Sequence, residues 1–413
     1  AMVVDAEAYP DKARDLSKLA TALRFFITLG PFEFGTNLET ALTDFYPEPL
    51  ICESEEEDIM YVLYTGGTTG RPKGVVHTHK SCVALTVITL AEWEWPVEYR
   101  ALASTPISHS SGGFMATSFL RGGTIYFLRS YSPELFVEAV EKHRITTTFL
   151  VPTMVYGLLD HPGIRKADFS SLELIIYGAA PMSPSRLAEA LEVFGPVFMQ
   201  VYAQTESTAA LTALFKHQHS IENINRLASC GMPLAGVRVK LMDENDNEVP
   251  IGDKGEICVR SSAVMAGYWN RPAETAETLR NGWLHTGDIA TREASGFLYI
   301  VDRKKDMIVS GGFNVFPKEI EDILSSHPSV AMAAVIGVPD EKWGESVKAL
   351  IVPKKPSTVS PDELIGLVRA KKGPHYAPKS IDFMDNMPVT PLGKPDKKAL
   401  RKRYWQDKGR HVH

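Results

Sequence analysis

Between Ile59 and Tyr202 the chain alternates short runs of β-forming apolar residues with segments of helical period, and this rhythm narrows the possible folds more than any other feature. Met60–Tyr64, Thr124–Phe127, Thr146–Val151, Glu173–Tyr177 and Phe198–Tyr202 read as strands. Lys80–Glu92, Pro133–His143 and Ser183–Val193 read as helices, the second opened by Ser132 as cap and a proline in its first turn, the third capped at Ser183. Strands that are apolar throughout are buried on both faces, so the pattern predicts a largely parallel sheet with helices on its faces. After about Ser220 the rhythm changes. Val237–Met242, Gly255–Arg260 and Phe297–Ile300 read as strands joined by Gly, Asp and Asn turns, which predicts a small antiparallel or barrel-like part. From Lys305 onward strands at Met307–Val309, Val330–Val338 and Val347–Val352 mix with helices at Pro317–Ser326, Ser360–Lys371 and Pro395–Tyr404. The expected architecture is α/β: a large domain over 1–304 with mostly parallel sheets plus the barrel-like part, and a small α+β domain over 305–413.

Charge divides at the same place. The segment from Lys305 carries 18 Lys and Arg against 13 Asp and Glu, a net of +5, which leaves −11 for the rest of a chain whose total is −6. A basic segment docking on an acidic body, a basic surface aimed at phosphates and plain solubilising lysines all fit this split. The overall acidity argues against nucleic-acid binding through the net field. With 44% hydrophobic and 23% charged residues, the composition is that of a globular protein rather than a disordered or fibrous one. The longest apolar runs fall short of the ~20 residues needed to span a bilayer. Four cysteines lie far apart without a CxxC pair, so spacing indicates neither a zinc site nor a disulfide framework. A reducing, cytoplasmic location is expected.

The densest chemical signal is Tyr64-Thr-Gly-Gly-Thr-Thr-Gly-Arg-Pro-Lys-Gly74. Glycines let successive backbone N–H groups converge on one anion, threonine hydroxyls add donors, and lysine adds charge. The spacing matches neither GxxxxGK[ST] nor GxGxxG, so the nucleotide sites of those classes are not indicated. A phosphate-binding loop is expected at Thr65, Gly66, Gly67, Thr68, Thr69, Gly70 and Lys73.

At this loop the sequence resembles the adenylate-forming (AMP-binding) enzymes, a group that includes acyl-CoA synthetases, luciferases and peptide-synthetase adenylation domains. The resemblance continues in order through Tyr177-Gly-Ala-Ala180, Val201-Tyr-Ala-Gln-Thr-Glu-Ser207, Gly282-Trp-Leu-His-Thr-Gly-Asp288 and Tyr299-Ile-Val-Asp-Arg303. It ends with Ser310-Gly-Gly-Phe-Asn-Val-Phe-Pro-Lys-Glu-Ile-Glu321 and Pro391-Leu-Gly-Lys394. Seven blocks in order over some 330 residues exclude coincidence. The resemblance implies an acyl-CoA synthetase of the fatty-acid-CoA ligase type. Such an enzyme activates a fatty or aromatic acid with ATP to acyl-AMP, releasing pyrophosphate, and then passes the acyl group to CoA.

On that basis each block takes a role. Gly178, Ala179, Ala180, Tyr202, Ala203 and Gln204 would line the adenine and α-phosphate, with Tyr202 stacked on the base. Ala203 stands where a glycine is common. Thr205 would donate to an α-phosphate oxygen, and Glu206 would supply an oxygen ligand to Mg²⁺. Asp288, Ile300 and Arg303 would hold the ribose. Lys394 would sit between carboxylate and α-phosphate as a mobile charge. His109 would lie near the acyl carboxylate, with Phe114, Tyr177 and Ala203 around the acyl group. No acidic residue accompanies His109 in Thr105–Gly112, which favours an uncharged acid over an amino acid. Lys305 would be the hinge about which the small domain rotates, bringing Gly311, Gly312 and Phe313 to the CoA pantetheine. The acceptor and the oligomeric state stay open. Loading of a carrier-protein pantetheine and an inactive nucleotide-binding protein are the alternatives, and a homodimer is one option for assembly. Ala1-Met2 reads as a tag scar before a start methionine. Because only 64 residues precede Thr65, the chain is expected to lack a first subdomain, as a cloned fragment, a proteolytic product or a shortened gene product.

Overall fold

Four of the expected strands and a fifth that the rhythm does not announce, Arg100–Ala103, assemble side by side in parallel, in the order Thr124–Phe127, Arg100–Ala103, Thr147–Leu150, Leu174–Gly178 and Phe198–Tyr202. Thr212–Leu214 and Met232–Pro233 extend this sheet in antiparallel fashion to seven strands. The structure is a computed structural model, and it describes residues 1–19, 21–43, 51–65, 72–108, 110–208, 211–354, 359–389 and 395–405. The period-two rule explains the uninterrupted apolar runs. Leu174 and Ile176 face one hydrophobic core, while Ile175 and Tyr177 face another. Met199 and Val201 join the first core and Phe198 the second. Full burial of each such side chain contributes about 1.5–3 kcal/mol, so this sheet is the main anchor of the strand ends that follow.

Helices Pro133–His143 and Pro184–Phe194 lie where the periodicity places them. Ser132 caps the first, accepting from the Leu135 amide at 3.2 Å. Ser183 does not cap the second, because its hydroxyl pairs with that of Ser185 at 2.9 Å. The first strand of the rhythm departs from the parallel sheet. Ile59–Thr65 pairs antiparallel with Lys73–Thr78, and Gly267–Tyr268 joins on the far side to complete three strands. A connection of seven residues is too short for a parallel crossover, which needs a dozen or more, so a hairpin is the available solution. The later part forms an antiparallel four-stranded sheet of Arg238–Met242, Gly255–Arg260, Leu284–Arg292 and Leu298–Arg303.

Beyond it, Phe313–Val315, Ile308–Ser310, Gly344–Pro353 and Val330–Asp340 pair in that order, and Ser380–Phe383 adds to the Gly344–Pro353 strand in parallel. Val335 shares a core with Ile320 and Leu324 of helix Pro317–Ser325 and with Leu364 and Val368 of helix Pro361–Lys372. Ala334 and Ile336, on the opposite face, pack with Met387 and Leu400. This is the α+β mixture that the sequence predicts.

The chain divides into two compact units, Ala1–Ser54 and Glu55–His413. The first contains a three-stranded parallel sheet of Met2–Asp5, Phe26–Leu29 and Thr36–Asn37, with helices Pro10–Leu19 and Leu38–Thr43. None of the helices is long and apolar enough to cross a membrane among the described residues.

Candidate active site

Strand Phe198–Tyr202 ends in Ala203 and Gln204 and runs into a single 3-10 turn, Thr205–Ser207. The Gln204 amide donates to the Ser207 hydroxyl at 3.0 Å. Two neighbouring elements pin the carbonyls of this turn. The Met265 amide donates to Glu206 O at 2.9 Å, and His77 Nε2 lies 2.7 Å from Thr205 O. A carbonyl only accepts, so Nε2 carries the proton. Burial pushes the fully buried imidazole of His77 below its ordinary value, which keeps it neutral. Glu206 Oε1 accepts from the Tyr268 hydroxyl at 2.8 Å, and Lys73 Nζ lies 4.6 Å from the Tyr268 ring centre. The hairpin carrying the glycine-rich segment and the Thr205–Glu206 turn therefore meet through Tyr268. His77 and Tyr268 carry no motif of their own, and only tertiary contact reveals their part.

Asp288 is the hub of the constellation. Its Oδ2 accepts from Tyr202 Oη at 2.8 Å and from Gln204 Nε2 at 2.6 Å, and its Oδ1 lies 3.2 Å from Arg303 Nε. Gln204 Nε2 also donates to Thr286 O at 2.8 Å. The pairing register places Asp288 directly across from Arg303. A bulge helps to aim it. Glu256 pairs with Ile289 and Cys258 with His285, so three residues of one strand face a single residue of the other. Gly287 occupies this bulge at φ +70°, and its amide donates to Glu256 Oε1 at 2.9 Å. Ile300, opposite Ala290, is half-buried against the first core. Four residues expected from three separate blocks thus touch one another.

Thr65 and Lys73 pair at the end of the hairpin, with the Thr65 hydroxyl 3.4 Å from Lys73 O. The residues expected to clasp phosphate between them, Gly66, Gly67, Thr68, Thr69 and Gly70, lie outside the described residues, as do His109 and Lys394. Phe114 lies on helix Gly113–Leu120. Ala203 is half-buried beside the first core.

Gly178 ends its strand opposite Val201. A Cβ at Gly178 would stand 2.4 Å from Val201 O, so only glycine lets the two strand ends close. Ala179 follows in the left-handed region at φ +63°, an outlier of a kind concentrated at functional sites, and Ala180 is half-buried. Tyr177 is fully buried, with its hydroxyl 3.0 Å from His219 Nε2 and its ring edge-on to Phe198. It belongs to the second core, so any influence on an acyl group passes through the wall that it packs. Gly178→Ala is expected to cost about 1–3 kcal/mol by overpacking, read as a lowered thermal midpoint. An unchanged midpoint would refute the close approach.

The expected hinge residue Lys305 lies in the 3-10 turn Lys304–Asp306. Charged groups surround the turn. Arg401 Nη2 donates to Asp306 at 2.7 Å, Lys397 Nζ lies 2.8 Å from Glu321 Oε1, and the Lys318 amide donates to Asp302 Oδ2 at 2.7 Å. Helix Lys397–Lys402, which follows Lys394 by two residues, is thereby tied to the Lys304–Asp306 turn. Asp302 is buried, and burial pushes its carboxyl up to about 6 despite nearby Lys397. Its folded-state value lies above the unfolded one, so the folded chain holds an extra proton between the two. Stability is accordingly expected to fall as pH rises from about 4 to about 6, by on the order of 2 kcal/mol from this group. Urea denaturation at several pH values checks this, because Asp302→Asn removes that part of the slope. Equal slopes in both proteins would exclude it.

Further on, Gly311 and Gly312 adopt φ +58° and +83° in the turn between two strands. A Cβ at Gly311 would lie 2.3 Å from the Trp343 ring, whereas Gly312 faces open space. The half-exposed Phe313 ring stacks on His375 at 4.1 Å.

The sequence profile of the AMP-binding enzyme family matches residues 2–269, and that of the AMP-binding enzyme C-terminal domain matches residues 319–394. A medium/long-chain-fatty-acid–CoA ligase of Mycobacterium tuberculosis is 44% identical over 419 residues, covering 98% of this chain and 72% of that protein. A feruloyl-CoA synthase of an Amycolatopsis species is 40% identical over 84% of this chain and 70% of its own length. Among solved structures, the amide bond synthetase McbA of Marinactinospora thermotolerans superposes with a TM-score of 0.88 at 34% identity, covering 97% of this chain and 79% of that one. The chain belongs to the AMP-binding enzyme family.

Proposed function

We propose that the chain is an acyl-CoA synthetase. A carboxylate attacks the α-phosphorus of ATP to give acyl-AMP and pyrophosphate, and the CoA thiol then displaces AMP to give the thioester. The observation that carries this reading is the Asp288 hub, which draws Tyr202, Gln204 and Arg303 together beside the Thr205–Glu206 turn. Asp288 and Arg303 hold the ribose hydroxyls, Ile300 supports them, and Tyr202 with Ala203 borders the adenine. The Thr205 hydroxyl, on a backbone fixed by His77, donates to an α-phosphate oxygen. Lys73 and the Thr65–Gly70 segment hold the outer phosphates, and Gly178, Ala179 and Ala180 line the nucleotide. His109 serves the acyl carboxylate, and Phe114, Tyr177 and Ala203 serve the acyl group. Lys394 supplies positive charge where the attacking and bridging oxygens build up negative charge.

Glu206 suits Mg²⁺. It is a half-buried carboxylate with one oxygen engaged by Tyr268, which leaves one for an ion that prefers few protein ligands. When bound there, Mg²⁺ would neutralise phosphate charge. Residues 305–413 act as the mobile part about Lys305, and Gly311, Gly312 and Phe313 border the pantetheine. The acid is an uncharged fatty or aryl one, since the pocket residues named are apolar apart from His109.

A panel of fatty and aromatic acids, assayed for AMP and thioester release with CoA and with a pantetheinylated carrier protein, tests the reading. CoA-dependent thioester is the expected result. Thioester on the carrier protein alone would favour carrier loading, and nucleotide binding without turnover would favour an inactive protein.

A further inference from the structure

Strands Gly255–Arg260 and Leu284–Arg292 hold a second cluster of chemically capable side chains, apart from the residues assigned to nucleotide and acid. The register sets Cys258 directly across from His285, and Glu256 lies two residues before Cys258 on the same face. Cys258 Sγ is 3.3 Å from His285 Nδ1, and that nitrogen is 3.5 Å from Glu256 Oε2. One ligand atom from each residue lies within 4.8 Å of the others. Ligands held at about 2.0–2.3 Å from one tetrahedral ion stand roughly 3.3–3.8 Å apart, which is close to these spacings. All three residues are buried, at 6%, 0% and 7% exposure for Glu256, Cys258 and His285.

The other ring nitrogen supplies an independent observation. His285 Nε2 is buried and has no hydrogen-bond partner among the described residues. Its nearest carboxylate oxygen, Asp246 Oδ1, stands 3.8 Å away. A histidine that ligates through one nitrogen ordinarily gives the N–H of the other to a carboxylate, and closing this gap by roughly 0.9 Å would complete that pair.

We propose that Glu256, Cys258 and His285 form a binding site for a thiophilic divalent cation of the Zn²⁺ class, oriented by Asp246. Binding replaces the thiol proton: Cys–SH and M²⁺ give Cys–S–M⁺ and H⁺, with the proton released to solvent. Thiolate and imidazole donors select such an ion over Mg²⁺, which separates this site from Glu206. In its absence Glu256 Oε2 lies 3.8 Å from Arg280 and 3.7 Å from Lys304, the two cations with which the metal competes. Glu256 Oε1 keeps the Gly287 amide of the bulge that aims Asp288. Cys258 is unremarkable by sequence spacing, and strand pairing alone brings it to His285.

Titration of the reduced 413-residue chain with Co²⁺, without ATP or Mg²⁺, tests the site. The expected result is one equivalent bound, with a thiolate-to-cobalt charge-transfer band in the near ultraviolet that Zn²⁺ displaces. Cys258→Ser abolishes the band, whereas Cys52→Ser, at the exposed thiol, leaves it unchanged. His285→Gln weakens binding at least tenfold with the thiol intact, and Asp246→Asn weakens it about 10- to 100-fold. Circular dichroism identifies the variants that fold. No charge-transfer band in the unaltered protein, the same band in folded Cys258→Ser, or undiminished binding in folded His285→Gln would overturn the proposal.

Discussion

Replacing Lys394 with alanine is expected to slow pyrophosphate release from acid and ATP by roughly 10²–10³-fold, while ATP affinity changes by only a few fold. The reason is differential binding. Negative charge builds on the attacking carboxylate oxygen and the oxygens about the α-phosphorus as the reaction proceeds, so a cation placed there stabilises the transition state more than the ground state. Removing one such group from a water-poor site costs on the order of 10²–10³ in rate. Lys397, three residues later, is the control. It pairs with Glu321 at 2.8 Å, which also accepts from the Val335 amide at 2.7 Å, so its loss strikes the packing of helix Pro317–Ser325 on strand Val330–Asp340 rather than the reacting atoms. Lys397→Ala should therefore lower thermal stability, with a smaller effect on the chemical step per folded molecule. Single-turnover measurement of acyl-AMP separates the two. A Lys394→Ala protein that adenylates within tenfold of the unaltered rate would remove the lysine from the mechanism.

Asp288→Ala should damage both folding and nucleotide binding. The substitution leaves the buried Tyr202 hydroxyl without its acceptor, which costs about 1–3 kcal/mol, and leaves the half-buried Gln204 amide with Thr286 O alone, at a smaller cost. Arg303 also loses its partner, but it is half-exposed and water compensates it in part. We expect a destabilisation of about 3 kcal/mol and a rise in the KM for ATP of about 10- to 100-fold. Asp288→Asn separates the two effects. It keeps one acceptor for Tyr202 and Gln204 and so restores most of the stability, but it supplies no charge to Arg303 and a poorer acceptor for ribose hydroxyls. An ATP KM that follows stability in both variants would reduce Asp288 to a structural residue.

Much of the scaffold is legible in the sequence because its strands are apolar on both faces. Phe198–Tyr202 and Gly255–Arg260 match the structure end to end, and the helix at Pro133–His143 is announced by Ser132. Strand Ile59–Thr65 is legible as a strand but not in its pairing, since its partner depends on the length of the connection, which local periodicity does not encode. Strand Leu284–Arg292 reads only as a motif. Its run of His, Thr, Gly and Asp breaks the apolar pattern where the bulge aims Asp288. The site divides in the same way. Asp288 and Arg303 are legible from the order of blocks, whereas His77 and Tyr268 are not, because each acts through one hydrogen bond to a turn far away in the chain. Cys258 and His285 come together for the same reason, across two strands whose register no spacing rule supplies.

Exchange of labelled pyrophosphate into ATP, measured with and without CoA, tests most directly whether the chain forms an acyl-adenylate. Exchange should require a carboxylic acid, proceed without CoA, and be lost in Lys394→Ala. AMP and thioester should accumulate only when CoA is added. Acid-dependent formation of ADP and phosphate in place of exchange, or exchange that needs CoA, would contradict it.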